Sequence, residues 1–127
     1  MNAWLGLNKR QQGNKGEELA VEQLKANGYR ILARNVRSKF GEIDCVAQQG
    51  KTLCFIEIKA RSSTTFGWPE ESVTPLKRRR LVRLAQGYLQ RLRGRPGPVR
   101  FDVLSILLGP DGLPGRTRLI KGAFEAA

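Results

Sequence analysis

The sequence predicts an α/β domain, a mixed β-sheet flanked by helices. Three observations predict it. Apolar residues at helical spacing occur in two segments, residues 16–27 and 75–93. Short β-branched or alternating runs occur between and after them, at 29–35, 42–47, 52–59, 99–108 and 116–121. Their order is one helix, three strands, a second helix and two more strands, an αβββαβ core with one strand added.

Each element has local signals. In 16–27 (GEELAVEQLKAN), Leu19, Ala20, Gln23 and Leu24 fall on one helical face, and Gly28 follows as a stop. Glu17 and Glu18 are expected in the first turn, where the helix dipole favours them. Strands 42–47 and 52–59 are expected to form a hairpin about the turn at 48–51, where Gly50 can take a positive φ. Residues 60–72 are polar, contain Gly67 and Pro69, and are expected to be loop. Thr74 is suited to cap the second helix, with Pro75 at its first position. Leu76, Leu81, Leu84, Ala85, Tyr88, Leu89 and Leu92 are its expected core positions. The run Gly94-Arg95-Pro96-Gly97-Pro98 ends it. Strand 99–108 is apolar on both faces, as an interior strand is. The glycine- and proline-rich connection 109–115 leads to an edge-like strand at 116–121.

Composition narrows the chemistry. The 127 residues fit one domain, expected over 13–127, behind a loose N-terminal segment 1–12. No apolar run approaches the ~20 residues needed to cross a membrane. The first dozen residues lack the apolar core of a signal peptide, so the expected location is cytoplasmic, with no membrane partner. The net charge is +12 and arginine outnumbers lysine, which points to nucleic acid as the partner. Histidine is absent, which removes histidine metal sites and histidine general bases. The two cysteines, Cys45 and Cys54, are too few for a disulfide framework or a zinc site and suit buried thiols.

The chemistry-bearing residues are Gly41-Glu42-Ile43-Asp44 and Phe55-Ile56-Glu57-Ile58-Lys59. Charge inside an apolar strand is costly unless it is used or paired. With Gln49 and Gly50 as central turn residues, Cys45 would pair with Cys54, Asp44 with Phe55 and Glu42 with Glu57. Glu42, Asp44, Phe55, Glu57 and Lys59 would then share one face, and Ile43, Cys45, Cys54, Ile56 and Ile58 the other. Asp44 becomes a diagonal neighbour of Glu57, and two close carboxylates call for a cation. Mg²⁺ or Mn²⁺ would answer, with Lys59 holding a phosphate oxygen or a water beside it. A surface charge cluster is the bland alternative. A slip of one residue would reverse these faces.

From residue 72 to 101 there are nine Lys or Arg and no acid: Lys77, Arg78, Arg79, Arg80, Arg83, Arg91, Arg93, Arg95 and Arg100. Arg79, Arg80 and Arg83 are spaced to share an exposed stripe, which with Lys77 and Arg61 forms the candidate nucleic-acid surface. Trp68 is suited either to stack on a base or to anchor its loop. Asp102 lies in an apolar strand and is expected to have a structural partner such as an arginine.

These residues resemble the PD-(D/E)xK nuclease superfamily, with Ile43-Asp44 as the first motif and Glu57-Ile58-Lys59 as the second. Ile43 stands where that family's name has proline. More closely, Gly13 and Gly16-Glu17 with Ala20 and Leu24, then Gly28-Tyr29, Arg34-Asn35, Gly41-Glu42-Ile43-Asp44, Phe55 through Arg61, Phe66-Gly67-Trp68-Pro69 and Arg100-Phe101-Asp102-Val103 resemble the YraN family, described as predicted endonucleases similar to archaeal Holliday-junction resolvases. The resemblance implies a restriction-endonuclease-like core. It also implies Asp44 and Glu57 as metal ligands holding Mg²⁺ or Mn²⁺, and Lys59 as the residue placing the attacking water. By its spacing to Gly28-Tyr29, the glutamate that the resolvases carry on their first helix corresponds to Glu17. The implied activity is phosphodiester cleavage in structured or branched DNA, with DNA ahead of RNA as substrate and a homodimer as one arrangement. A non-catalytic nucleic-acid-binding protein on a nuclease fold is the alternative, since fold does not dictate function.

Overall fold

The strands form one sheet in the order β1-β2-β3-β4-β5: Arg30–Ser38, Gly41–Gln49, Thr52–Arg61, Val99–Leu108 and Pro114–Phe124. The computed structural model describes residues 9–65, 67–92, 94, 97–109 and 114–125. Residues 1–8, Phe66, Arg93, Arg95, Pro96 and residues 110–113 of the expected connection lie outside the described residues, as do 126 and 127. Neighbouring strands are antiparallel except β3 and β4, which are parallel. A parallel pair needs a crossover. Here it carries a 3₁₀ turn (Pro69–Ser72) and the second helix, α2 (Pro75–Arg91), inside and after the segment expected to be loop. The mixed α/β architecture is therefore as the sequence predicts, and it is consistent with a restriction-endonuclease-like core.

Side chains alternate along β3, and the two helices use the two sets. Cys54 and Ile56 join Ala20, Leu24, Cys45, Leu104 and Ile106 under α1 (Lys9–Ala26). Leu53 and Phe55 join Val46, Leu81, Leu84, Ala85 and Phe101 under α2. The result is a helix–sheet–helix sandwich with two cores. Both cysteines are buried and free, and burial pushes each thiol up to about 11, so they act as small apolar fillers.

Helix α1 begins at Lys9, well before the expected residue 16. Glu17 and Glu18 are therefore in the helix body, and the dipole explanation for them does not hold. Glu18 instead pairs with Arg34 of β1 at 2.8 Å. Gly16 explains how α1 docks. A Cβ there would meet the Cβ of Ala60 at 2.7 Å, so only glycine lets the helix lie this close to the end of β3.

Helix α2 starts as expected: the Lys77 backbone N–H donates to the Thr74 hydroxyl at 3.3 Å, and Pro75 follows the cap. Leu81, Leu84 and Ala85 are buried, but Leu76 and Leu92 are exposed, correcting their expected core role. Leu76 lies in the first turn and Leu92 at the C-cap, where the helix has run past the sheet.

The β2–β3 register differs from expectation. Gln49 pairs with Thr52 and Cys45 with Ile56, so Gly50 and Lys51 form the turn and each partner lies two residues further along. A shift of two keeps the faces that a shift of one would have reversed. One face assignment does change: Ile43 joins the α2-side core. The β2–β3 ladder stops at Cys45 and Ile56, whereas β1 and β2 stay paired down to Ser38 and Gly41. The β1–β2 ribbon thus parts from β3 and leans towards α2. Gly41 permits this approach, with φ +136° and an added Cβ meeting Arg80 and Leu84 side chains at 3.5 Å.

Candidate functional site

The parting of β2 from β3 creates the site. Beyond the last ladder pair, the Asp44 carboxylate takes the place of a backbone acceptor, receiving the Ile58 N–H at 2.8 Å. Asp44 and Glu57 each lie one residue beyond the last ladder pair, Cys45 with Ile56, so the two acids stand where the strands begin to part. Glu57 continues the α2-facing set of β3, and Lys59 follows it, with Lys59 Nζ 3.0 Å from Glu57 Oε1. Their side chains are 24% and 17% exposed, shielded yet reachable from solvent.

Electrostatics bind the acids into one unit. Burial, then the Glu57 charge, pushes the Asp44 carboxyl well above the ordinary carboxylate range; the Ile58 N–H and Lys59 pull it back, and Glu17 raises it further. Glu17 follows Gly16, where α1 packs against Ala60 near the end of β3. Glu42 is held by Arg37 at 3.0 Å, a supporting position. Among the described residues, no group of three or more His, Cys, Asp or Glu side chains is arranged to hold a metal ion. Asp44 and Glu57 are the pair the fold brings together.

The basic residues divide. Lys77 and Arg80 line a recess of about 220 Å³ with Gly41, Glu42, Glu57 and Lys59. Arg79 and Arg83 line the adjoining recess with Arg80. Arg78 serves the fold, donating to the Val73 carbonyl and lying over the Phe124 ring. Arg61 closes β3 and is half-buried, outside these recesses.

Asp102 is fully buried and structural. Arg100 grips it through Nε at 2.8 Å and Nη2 at 2.9 Å, while the Tyr29 hydroxyl (2.7 Å) and the Gly122 N–H (2.9 Å) also donate to it. Burial opposes ionisation, but these donors outweigh it and hold the carboxyl below its usual range. Arg100 is thus removed from the candidate nucleic-acid surface.

Sequence reasoning missed Glu70. It lies on the 3₁₀ turn and accepts from the Ser105 hydroxyl at 2.8 Å, Arg116 Nη2 at 2.9 Å and Arg118 Nη1 at 3.3 Å. Ser105 is level with Lys59 on the neighbouring strand, so this cluster braces the lysine's surroundings. Arg116 also stacks 4.2 Å over the Trp68 ring, so Trp68 anchors its loop to β5. The available signal was that Glu70 and Glu71 are the only acids between Glu57 and Asp102. Burial pushes Glu70 up, but its own backbone N–H, Ser105 and Arg116 outweigh this and hold it at about 2. A depressed carboxyl stabilises the fold above its unfolded pKa and loses that contribution as pH falls through the folded value. Glu70→Gln is therefore expected to remove part of the acid destabilisation between about pH 4.5 and about pH 2. Urea titrations of both proteins across that range check it; unchanged acid sensitivity would contradict the assignment.

Relatives match this chain in sequence over nearly its whole length. A UPF0102 protein of Symbiobacterium thermophilum is 53% identical over 117 residues, covering 92% of this chain and 98% of the relative. UPF0102 proteins of Moorella thermoacetica and Caldicellulosiruptor saccharolyticus are 48% and 45% identical, each covering 93% of this chain and 98% and 100% of themselves. The model of the Uncharacterised protein family UPF0102 matches residues 16–106, from the Gly16 docking contact to Ile106 in β4. The chain belongs to the UPF0102 family.

Proposed function

We propose that this chain is a metal-dependent endonuclease of the PD-(D/E)xK type, similar to Holliday-junction resolvases, that cleaves phosphodiester bonds in structured or branched DNA. The observation that carries this reading is the convergence of Asp44, Glu57 and Lys59 where β2 parts from β3, at the foot of a basic helix face.

The donor set fits Mg²⁺ or Mn²⁺. Two carboxylates on adjacent strands are hard oxygen ligands, and their mutual repulsion is what a divalent cation relieves. Lys59 already supplies one positive charge to Glu57, which shows the sign the position favours. A pair of protein carboxylates leaves the remaining positions to water and phosphate oxygens, as Mg²⁺ usually requires. Asp44 and Glu57 would hold the ion, which would polarise the scissile phosphate and acidify a water. The protein's own part in this reading falls to four groups on β2 and β3. The Ile58 N–H orients Asp44; Glu57 orients Lys59; Lys59 offers its ammonium to the attacking water or to the developing negative charge. Glu17 adds negative charge from α1, and Lys77 and Arg80 hold the phosphate backbone at the rim.

Wild type and Glu57→Ala are to be compared on a four-way junction, a flap, single-stranded DNA and RNA, each with Mg²⁺ and Mn²⁺. Metal-dependent cleavage of a DNA substrate by wild type alone supports the reading. Equal cleavage by both proteins overturns it, and tight binding without cleavage by wild type supports a non-catalytic nucleic-acid-binding role. Arg83→Ala and Arg79→Ala are each expected to weaken binding uniformly across sequences and to reduce the salt slope by about 1. Binding measured from low to high salt checks this, and an unchanged slope would remove these residues from the interface.

A further inference from the structure

The two residues at the tip of the β1–β2 ribbon, Lys39 and Phe40, lie beside the site without belonging to it. Phe40 is 54% exposed, whereas Phe55, Phe101 and Phe124 stack within the core. Its position is built. The Phe40 N–H donates to the Ser38 hydroxyl at 3.2 Å, and the Gly41 backbone seats the tip against Arg80 and Leu84 of α2. The Lys39 ammonium lies 5.1 Å from the centre of the ring.

Three recesses follow one another along this seam. The first, at Glu57 and Lys59, shares Arg80 with a second of about 350 Å³. The second shares Phe40 and Arg83 with a third of about 560 Å³ that ends at Gln90 and Arg91. Among the described residues, no acid lines the second or the third. The seam therefore offers phosphate-binding cations along its length, an exposed ring in its middle and side-chain amides at its far end.

We propose that this groove takes an unpaired strand of DNA leading away from Glu57, with one base stacked on Phe40; the choice of DNA and the chemistry at its Glu57 end rest on the endonuclease reading. Charge complementarity selects a polyanion. The ring selects an unpaired one, because a base inside a duplex has both faces covered by its neighbours, whereas a base in a single strand has a face to offer. The substrate class is then DNA with a single-stranded region adjoining the site, such as a flap or an opened junction arm, ahead of blunt duplex.

The test is binding in metal-free buffer, read by fluorescence anisotropy, to single-stranded DNA, blunt duplex, duplex with a single-stranded tail, and RNA of the same sequence. Wild type is expected to favour the single-stranded and tailed DNA. Phe40→Ala is expected to weaken those two by about tenfold and to leave blunt duplex unchanged, with Phe40→Trp restoring them. A 2-aminopurine base in the strand should be quenched by wild type and Phe40→Trp but not by Phe40→Ala. Unchanged single-strand affinity in Phe40→Ala, or an equal loss on blunt duplex, overturns the proposal; tighter binding of RNA than of DNA overturns the DNA assignment. A chain that binds in this pattern but never cuts leaves this proposal standing and removes the endonuclease reading. A chain that cuts but is indifferent to Phe40→Ala does the reverse.

Discussion

Alanine in place of Glu57 is expected to lower metal-dependent cleavage by at least about a hundred- to a thousandfold while leaving DNA binding intact or tighter. The loss is large because one carboxylate serves two purposes. It is one of the two acids proposed to hold the cation, and it pairs with Lys59 at 3.0 Å. Without it, Asp44 is left as a single ligand and the ammonium swings free. Binding should survive because the cations proposed to meet phosphate, Lys77, Arg79, Arg80 and Arg83, are on α2, and removing an acid lowers repulsion against a polyanion. Cleavage rates and anisotropy on one junction substrate measure both effects, with circular dichroism confirming the fold. Lys59→Ala should lower the rate by a similar factor without abolishing metal binding. If Glu57→Ala lost binding and cleavage in proportion, Glu57 would be a structural residue.

The second large effect concerns stability. Asp102→Ala is expected to cost about 3 kcal/mol, because it removes the fully buried carboxylate of an ion pair with the half-buried Arg100 and takes that acceptor from Arg100, Tyr29 and the Gly122 N–H, leaving Arg100 only its Gln49 and Tyr29 contacts. Tyr29→Phe removes the hydroxyl that donates to Asp102 at 2.7 Å and accepts from Arg100 Nη2 at 3.1 Å, and should cost about 1–2 kcal/mol. Replacing Arg100 and Asp102 together with apolar residues of similar volume should cost less than Asp102→Ala alone, since no charge is then left buried and unpaired. Urea unfolding of the three variants orders them. A loss under about 1 kcal/mol for Asp102→Ala would mean that water reaches the network and replaces the carboxylate.

Two features of the site were legible because they are local. The alternation of CFIEIK places Phe55, Glu57 and Lys59 on one face, and the structure gives that face to α2. The arginine expected beside Asp102 is two residues away on its own strand. Other features were not legible. Glu17 looked like a first-turn residue because the seven residues before Gly16 carry no apolar stripe, yet they are helical. Glu70 looked like loop polarity because its partners, Ser105, Arg116 and Arg118, are 35 or more residues away. Leu76 and Leu92 fit the apolar period of α2, but the sheet does not extend beneath the helix ends.

The sequence by itself determined the element order, the Thr74 cap, the faces of β3, the excess of cations and the absence of histidine. All of these follow from local periodicity, local hydrogen bonding or composition. Only the tertiary structure decided the β2–β3 register, the passage of Ile43 to the α2 side, the docking of α1 at Gly16 and the position of Phe40 on the groove. The reason is that these depend on where a ladder ends and how closely two elements approach. Those quantities are set by contacts such as Gly16 with Ala60 and Gly41 with Leu84, between residues that no spacing rule connects.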